Sequence, residues 1–288
     1  MNILITGCNG QLGNELQLLE KEHAENRYFN TDVEQLDITD QDAVTRYVEE
    51  NDIHGIINCA AYTAVDKAET EQELCRRLNA EAPRYLARAI DRRGGWIIQI
   101  STDYVFDGTK HTPYNEADQA NPSTFYGKTK LEGEKAIMQE CKQAMIIRTA
   151  WLYSTFGNNF VKTMIQLGKE RHELGVIFDQ IGTPTYARDL AAIIMAAIRQ
   201  KFMPGVYHFS NEGVTSWYDF AKVIHRLAGI KNCNVRPLHT EEYPTPARRP
   251  AYGVLDTTKI KQTYNLEIPY WEDSLAECIE LLQAMKID

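Results

Sequence analysis

Ile3-Leu4-Ile5-Thr6-Gly7-Cys8-Asn9-Gly10-Gln11-Leu12-Gly13 carries the strongest fold signal in this 288-residue chain. The apolar start predicts a buried strand, and residues 11–22 predict a helix. The Gly-x-x-Gly-x-x-Gly turn between them lets the backbone approach a pyrophosphate, while the helix N-terminus offers N–H donors. We therefore expect a dinucleotide at this loop, bound by Gly7, Asn9, Gly10, Gln11, Leu12 and Gly13.

Strands and helices continue to alternate through the first half of the chain. Because buried strands joined by helices form right-handed crossovers, residues 1–150 are predicted to be an α/β dinucleotide-binding domain with a doubly wound parallel (Rossmann) sheet. The pattern becomes irregular after Thr149. Residues 151–288 are expected to form mainly a smaller C-terminal substrate-binding lobe, with some chain returning to the first domain.

Acidic residues near the second predicted strand favour binding of the adenosine half of a dinucleotide. Asp32 lies 19 residues after Gly13, where a carboxylate can accept hydrogen bonds from ribose hydroxyls and repel a 2′-phosphate. A solvated loop carboxylate is the competing interpretation, and Arg27 is one residue that could receive such a phosphate. Further cofactor contacts are expected from Asp37 and Ile38, and from Ala60, Ala61 and Tyr62 after the third strand.

Tyr126 and Lys130 begin a predicted helix in a Tyr-x-x-x-Lys pattern. Residues four apart share a helical face, so the phenol and the ammonium point into the same space. A nearby cation favours phenolate and lowers the pKa of a tyrosine, which suits acid–base chemistry. Thr102, at the end of the preceding strand, supplies a hydroxyl. A Tyr-x-x-x-Lys pattern also occurs by itself on amphipathic surface helices. Here it follows the glycine loop and the strand-end hydroxyl in the chain, and this order favours a catalytic role.

Composition excludes several classes of function. The 40 acidic residues exceed the 31 basic ones, giving a net charge of −9, so neither nucleic acid nor a membrane surface is an expected partner. The N-terminus lacks the features of a signal peptide, and the six cysteines form no Cys-x-x-Cys pair. We therefore expect a cytoplasmic protein with reduced thiols. The histidine spacing predicts no metal site.

The chain resembles the extended short-chain dehydrogenase/reductase family, and within it the reductases that complete dTDP-L-rhamnose synthesis. The resemblance covers almost the whole chain, including residues 7–13, 60–69, 101–106, 126–130, 148–153, 157–164, 179–185 and 246–250. It implies that NADPH or NADH reduces the C4 ketone of dTDP-4-dehydro-6-deoxy-L-mannose. It also implies that Tyr126 protonates the C4 oxygen, Thr102 orients it, and Lys130 tunes Tyr126 and holds the ribose.

The same resemblance implies a set of substrate contacts, namely Thr63, Val65, Thr102, Asp103, Tyr104, Trp151, Asn159 and Lys162. Trp151 and Val65 would pack against the sugar, and Asn159 with Lys162 would lie near the diphosphate. Asp103 and Tyr104 have the competing role of shaping the strand end. Ala150 and Gly253 stand where serine is frequent in this family, so two hydroxyls are missing on the substrate side.

Arg248 and Arg249 lie in a proline-braced turn, Pro246-Ala247-Arg248-Arg249-Pro250. An acidic protein that binds a sugar nucleotide must neutralise its pyrophosphate locally, and arginine offers planar bidentate donors for phosphate. Because neighbouring residues often point in opposite directions, we expect one arginine to reach the diphosphate and the other to brace the turn. A surface pair making contacts between lobes is the alternative.

Two other functions remain open at this point. A sugar-nucleotide epimerase or dehydratase of the same superfamily would retain NAD between turnovers, whereas a reductase must exchange it. A non-catalytic regulatory subunit of the methionine adenosyltransferase type would not require the Thr102, Tyr126 and Lys130 set. The sequence also leaves open whether the protein forms a homodimer.

Overall fold

A computed structural model describes residues 1–285 and has a six-stranded parallel sheet at its centre. The strand order is β10-β5-β4-β3-β1-β2. In chain order the strands are β1 (Asn2–Thr6), β2 (Arg27–Thr31), β3 (Gly55–Asn58), β4 (Trp96–Thr102), β5 (Ala144–Thr149), β6 (Leu152–Tyr153), β7 (Glu173–Ile177), β8 (Ile181–Gly182), β9 (Thr185–Tyr186), β10 (Gly205–His208), β11 (Thr215–Ser216) and β12 (Asn234–Leu238).

The order of the sheet strands creates a crevice at one edge. The chain passes from β1 to β2 and then returns to place β3 on the other side of β1. Loops that leave the carboxyl ends of β1 and β3 therefore diverge, and such switch points are where open α/β sheets bind ligands. The predicted doubly wound parallel sheet is confirmed.

Helices cover both faces of this sheet. In chain order they are α1 (Gln11–Leu19), α2 (Gln41–Glu50), α3 (Gln72–Arg76), α4 (Ala82–Asp91), α5 (Phe125–Glu140), α6 (Phe160–Glu170), α7 (Ala187–Arg199), α8 (Trp217–Leu227), α9 (Thr258–Tyr264) and α10 (Trp271–Ala284). The first helix was predicted to reach Glu22, but the α-helix ends at Leu19 and a 3₁₀ turn follows it. Across residues 1–285, every helix is too short or too polar to cross a membrane.

Alternate residues of one strand face two different cores. Ile3 and Ile5 of β1 pack with Leu16 of α1 and Ile194 of α7 on one face, whereas Leu4 packs with helices α2 and α4 on the other. Successive side chains of a strand point to opposite faces. Because both faces are buried, β1 is a continuous apolar run rather than an alternating one.

The chain after β5 builds a second core and also extends the first. Phe220 of α8 and Trp271 and Leu275 of α10 pack with Tyr153 in a cluster separate from the two sheet cores. In contrast, β10 pairs with β5 and α7 packs on the face of the sheet that α1 covers. Strand β10 and helix α7 thus complete the sheet layer although they follow β5 in the chain.

Helices α4 and α5 approach closely where a π-helical turn, Arg77–Glu81, joins α3 to α4. A Cβ added to Gly133 of α5 would lie 2.1 Å from the carbonyl oxygen of Asn79. That oxygen belongs to the backbone and cannot rotate away. The π turn also directs the Asn79 side chain to the backbone N–H and carbonyl of Tyr62, through hydrogen bonds of 2.9 and 3.0 Å.

Gly133→Ala is expected to lower the free energy of unfolding by about 1–3 kcal/mol, because the added methyl group overpacks this helix contact. Chemical denaturation followed by circular dichroism would measure the change. Lys135→Ala, on the exposed side of the same helix, is the control and should be nearly neutral. Equal stability of the Gly133→Ala variant and the wild type would contradict the contact.

Candidate active site

A cavity of about 880 Å³ runs along the carboxyl ends of the sheet strands. One end is lined by the glycine loop and the turn after β2, and the middle by the ends of β3, β4 and β5. Trp151 and Trp217, from chain that follows the sheet domain, line it on the opposite side. The site is therefore built by both parts of the protein, at the sheet edge that the switch in strand order opens.

Two glycines allow the loop after β1 to adopt its shape. Gly7 has φ of 65°, and a Cβ there would lie 2.8 Å from the backbone N of Ala60. A Cβ on Gly13 would lie 2.5 Å from the Gly7 carbonyl oxygen. The loop has room for backbone only, which is the arrangement that a closely approaching pyrophosphate requires.

Helix α1 begins at this loop without a side-chain cap. Gly10 occupies the N-cap position and has no side chain, so within the described residues no side-chain cap bonds to the first N–H groups of the helix. Gln11, Leu12 and Gly13 line the cavity. The first N–H groups of a helix carry positive partial charge and need acceptors. The residues present thus fit the diphosphate of a dinucleotide, with the helix N-terminus as donor.

At the end of the cavity beside β2, Asp32 is held in place by backbone donors. Its carboxylate accepts hydrogen bonds from the N–H groups of Asn9 at 3.2 Å and Val33 at 2.8 Å. Asp37 lines the same end, and hydrogen bonds from Thr39 lower the pKa of its carboxyl. Arg27 lies at the opposite end of β2, over the Phe29 ring, so it does not line the cavity as a phosphate ligand would.

Tyr126 and Thr102 meet at the centre of the cavity. Both are buried, and the Thr102 hydroxyl acts to lower the pKa of the phenol. Burial is the larger effect and raises that pKa above its usual value. The sequence predicted that Lys130 lowers the pKa of Tyr126. In the structure the net shift of that pKa is upward. Tyr126 therefore holds its proton at neutral pH, as a proton donor must.

Lys130 lies one helical turn after Tyr126 and is almost fully buried. Its ammonium group donates a hydrogen bond of 2.7 Å to the carbonyl oxygen of Ile100 in β4. Burial lowers its pKa to about 8, and the carboxylate of Glu134 opposes that shift. Lys130 is consequently a cation at neutral pH and loses its charge under mildly alkaline conditions.

Asp103 presents an unsatisfied carboxyl oxygen in the cavity wall. The residue is 2% exposed; its Oδ1 accepts from the Thr102 hydroxyl at 3.0 Å, while its Oδ2 has no hydrogen-bond partner among residues 1–285. Burial raises its pKa to about 7. A Cβ on Gly253 would lie 2.6 Å from this Oδ2, so the Asp103 carboxylate occupies space that a side chain at position 253 would need.

Trp151 forms an aromatic wall with Trp217. Their ring centroids are 3.6 Å apart and the planes differ by 14°. Trp151 has φ of 48°, a left-handed conformation that is unfavourable for a bulky residue. Strained backbone held by its surroundings is concentrated at functional sites, and here it turns the indole into the cavity.

The structure brings most of the predicted site residues to this cavity. Those that line it are Gly7, Gly10, Gln11, Leu12, Gly13, Asp32, Asp37, Ile38, Ala60, Ala61, Thr63, Val65, Thr102, Asp103, Tyr104, Tyr126, Lys130 and Trp151. Those that do not line it are Asn9, Tyr62, Asn159, Lys162, Arg248 and Arg249.

Local hydrogen bonds explain why three of these side chains do not line the cavity. The Asn159 side chain caps α6 and donates to Gln11 at 3.0 Å, and the Lys162 ammonium donates to the Gly157 carbonyl at 2.8 Å. The Tyr62 hydroxyl donates to Glu71 at 2.6 Å. Gly157 and Asn158 line the cavity in place of Asn159.

The two arginines of the proline-braced turn are in different surroundings. Arg249 forms two hydrogen bonds with the carboxylate of Asp66, at 3.1 and 2.7 Å, which lower the pKa of Asp66. The same carboxylate accepts from the Ala247 N–H at 3.1 Å. Arg248 is exposed. Arg249 thus braces the turn against the loop after β3.

Sequence reasoning did not identify Trp217 and Thr149 as cavity residues, nor the Gly157–Asn158 pair. Thr149 ends the strand next to β4, at the register position of Thr102, which is a signal that could have found it. Trp217 begins a helix about 65 residues further along the chain than Trp151, and no local pattern links the two. Metal-binding clusters of three or more His, Cys, Asp or Glu side chains are absent from residues 1–285.

The fold and these residues define a nicotinamide-dependent oxidoreductase of the extended short-chain dehydrogenase/reductase class. A family model, the RmlD substrate binding domain, matches residues 1–284. This chain belongs to that family, which includes the dTDP-4-dehydrorhamnose reductases. One such reductase, from Aggregatibacter actinomycetemcomitans, is 40% identical over 284 residues, which is 95% of this chain and 96% of the relative.

Two solved structures are similar over nearly the full length. The dTDP-4-dehydrorhamnose reductase from Clostridium acetobutylicum has a TM-score of 0.94 and 48% identity, covering 98% of this chain and 100% of that one. The enzyme from Bacillus anthracis, solved in complex with NADP, has a TM-score of 0.94 and 42% identity, covering 97% and 99%.

Asp32→Ala is expected to raise the ratio of kcat/KM for NADPH to that for NADH by on the order of tenfold. Unit charges a few ångströms apart interact by about 1 kcal/mol in water, and the substitution removes a carboxylate that would face the 2′-phosphate. Steady-state kinetics with each coenzyme would measure the ratio. Asp42→Ala, an exposed carboxylate of α2, is the charge-matched control. An unchanged ratio would mean that Asp32 does not select the coenzyme and serves only to accept hydrogen bonds from the loop backbone.

Proposed function

We propose that this enzyme uses NADPH or NADH to reduce the C4 ketone of dTDP-4-dehydro-6-deoxy-L-mannose, which yields dTDP-L-rhamnose in the last step of dTDP-rhamnose biosynthesis. The observation that carries the proposal is the protonated Tyr126 beside Thr102 and Lys130, in one cavity with an uncapped helix N-terminus. Family membership supplies the substrate class.

The bound nicotinamide would supply the hydride. Gly7, Gly10 and Gly13 would accommodate the diphosphate, and the first N–H groups of α1 would bind it. Asp32 would accept hydrogen bonds from the adenosine ribose. Lys130, charged below about pH 8, would donate to the nicotinamide ribose. The Bacillus anthracis relative with NADP shows that a member of the family accepts the 2′-phosphate.

Reduction of a ketone places negative charge on the carbonyl oxygen, which then takes a proton. Tyr126 is suited to give that proton, because its phenol is protonated at neutral pH and lies in the cavity with Thr102 and Lys130. The Thr102 hydroxyl would hold the oxygen within reach of the phenol. Solvent is largely excluded here, since Thr102, Tyr126 and Lys130 are all buried, and this strengthens each of these interactions.

The sugar would lie between the aromatic wall and the end of β4. Asp103 lines the cavity beside Thr102 and would lie near the sugar. Trp151 and Val65 would pack against the ring. Tyr104, whose ring meets that of Tyr126 edge to face with centroids 5.5 Å apart, would help to position the phenol.

An epimerase or dehydratase and a regulatory subunit are the competing functions. Membership of a family of reductases favours release of the oxidised cofactor at each turnover. NAD(P)H oxidation with the dTDP-linked keto sugar, compared with UDP-linked competitors, tests the activity and its nucleotide preference. Purified protein that retains stoichiometric NAD and fails to oxidise NADPH with the keto sugar would overturn the proposal.

The homodimer and the cytoplasmic location stay predictions. The six free thiols fit a reducing compartment.

Tyr126→Phe is expected to reduce kcat by roughly a hundredfold or more, because it deletes the proton donor and leaves the ring in place. The dissociation constant for NADPH should change little. Steady-state kinetics and cofactor fluorescence titration would measure both. Tyr270→Phe, at an exposed residue outside the cavity, should match the wild type. A Tyr126→Phe variant with wild-type kcat while hydride transfer limits the rate would exclude the phenol as donor.

Arg248→Ala is expected to raise KM for the sugar nucleotide about tenfold with little change in KM for NADPH, because Arg248, the arginine that Asp66 leaves free, would donate a charge-assisted hydrogen bond to the diphosphate. Arg249→Ala should mainly lower the melting temperature, since it breaks the contact with Asp66. Kinetics with each substrate varied separately and thermal unfolding would distinguish the two roles. Unchanged KM for the sugar nucleotide in both variants would remove this turn from the active site.

A further inference from the structure

Three consecutive residues at the end of β4 each contact a different turn of helix α5. The Ile100 carbonyl accepts from Lys130 at 2.7 Å, and the Ser101 hydroxyl donates to Glu134 Oε1 at 2.5 Å. Thr102 lies in the cavity with Tyr126 and acts to lower the pKa of its phenol. The helix residues are spaced by four and therefore share one face. Glu134 is thus the third member of the face that carries Tyr126 and Lys130.

Glu134 forms a buried ion pair across the sheet edge. Arg148 of β5 donates to it twice, from Nε at 2.9 Å and from Nη2 at 2.7 Å, and the side chains are only 5% and 7% exposed. Arg148 is the register partner of Ser101 on one side and of His208 on the other. Its Nη1 lies 3.5 Å from His208 Nε2. Burial and the charge of Arg148 lower the pKa of His208 to about 3, so the histidine is neutral.

A buried pair of this kind is a poor way to gain stability. Desolvating two ions costs several kcal/mol each, and apolar replacements of similar volume are often as stable or more stable. Arg88 of α4 and Glu140 of α5 form a partly exposed pair without that cost. Because burying Glu134 costs free energy, we infer that its carboxylate has a role that an apolar side chain could not fill.

We propose that Glu134 is a positioning residue for Lys130, which it serves in two ways. Through Ser101 it fixes the end of β4 against α5, so that Thr102 and the Ile100 carbonyl stay aligned with Tyr126 and Lys130. Through its charge it keeps the buried Lys130 a cation able to bind the cofactor ribose. This inference rests on the proposed function in so far as Lys130 binds a nicotinamide cofactor.

The groups around Lys130 come from several elements. Cys59 follows β3, Cys75 belongs to α3, and Tyr126 and Glu134 belong to α5; Asp103 lies beyond β4. Burial raises the pKa of both thiols and of the phenol, so all three are neutral near pH 7. Asp103, with a pKa of about 7, hydrogen-bonds to Thr102. Within residues 1–285, Glu134 is therefore the carboxylate that shares a helical face with Lys130, and the Arg148 guanidinium pairs with it from β5.

The direction of the pH effect follows from these charges. Burial lowers the pKa of Lys130 to about 8, and the Glu134 carboxylate raises it against that trend. Without the carboxylate the pKa of Lys130 falls further. The ammonium then loses its proton at a lower pH, and affinity for the cofactor declines earlier as the pH rises.

Glu134→Gln tests the charge, because the amide preserves the shape and an acceptor for Ser101. We measure the dissociation constant for NADPH by fluorescence from pH 6 to 10. The alkaline loss of affinity should move to lower pH by about one unit, the shift expected for removal of a neighbouring opposite charge. Glu140→Gln removes a carboxylate from the same helix at its partly exposed end and should leave the profile unchanged. An unshifted profile for a folded Glu134→Gln variant overturns the charge role.

Ser101→Ala tests the alignment, because it removes the hydrogen bond between strand and Glu134 but leaves every charge in place. We expect kcat to fall roughly tenfold, since small misplacements of catalytic groups are costly, with an unshifted NADPH profile. Wild-type kcat overturns the alignment role. Should Glu134→Gln fail to fold, Glu134→Asp decides the charge role: it must keep the wild-type profile while kcat falls, and a shifted profile overturns the proposal. NADPH binding requires no sugar, so an error in the assigned substrate leaves this test intact.

Discussion

The close approach of two backbone segments at the carboxyl ends of β1 and β3 is the constraint on which the cavity depends. Gly7 lies against Ala60, and Gly13 lies against Gly7, at distances that leave no room for a Cβ. This contact fixes where α1 begins and directs its N-terminus at the crevice. Helix α7 then packs on α1, which carries the second half of the chain back onto the sheet.

Burial sets the protonation states of the central residues. Desolvation raises the pKa of the Tyr126 phenol and the Asp103 carboxyl, and it lowers the pKa of the Lys130 ammonium. Each shift favours the neutral form of the group. The neutral form suits Tyr126 as a proton donor, but Lys130 has to stay charged to bind a ribose as a cation. The carboxylate of Glu134 offsets the effect at Lys130 alone, because it lies one turn away on the same face.

The second half of the chain completes the site through a few specific contacts. Gln11 of the glycine loop donates to the Leu152 carbonyl and accepts from Asn159, so the cofactor end is tied to the smaller lobe. Asp66 and Arg249 tie the loop after β3 to the proline-braced turn. Trp151 and Trp217 close the remaining side. Because these contacts surround the cavity, movement between the two halves would alter the cofactor and substrate ends together.

The sequence by itself determined the features that depend on neighbouring residues. The glycine spacing, the alternation of buried strands with helices, and the four-residue spacing of Tyr126 and Lys130 are local, and each predicted its element correctly. The tertiary structure alone decided the rest. Trp217 reaches Trp151 from a distant helix, Arg249 is engaged by Asp66, and Lys130 donates to Ile100 instead of lowering the pKa of Tyr126. The physical reason is that pKa values and pocket walls depend on burial and on charges brought together by folding, which no local spacing records.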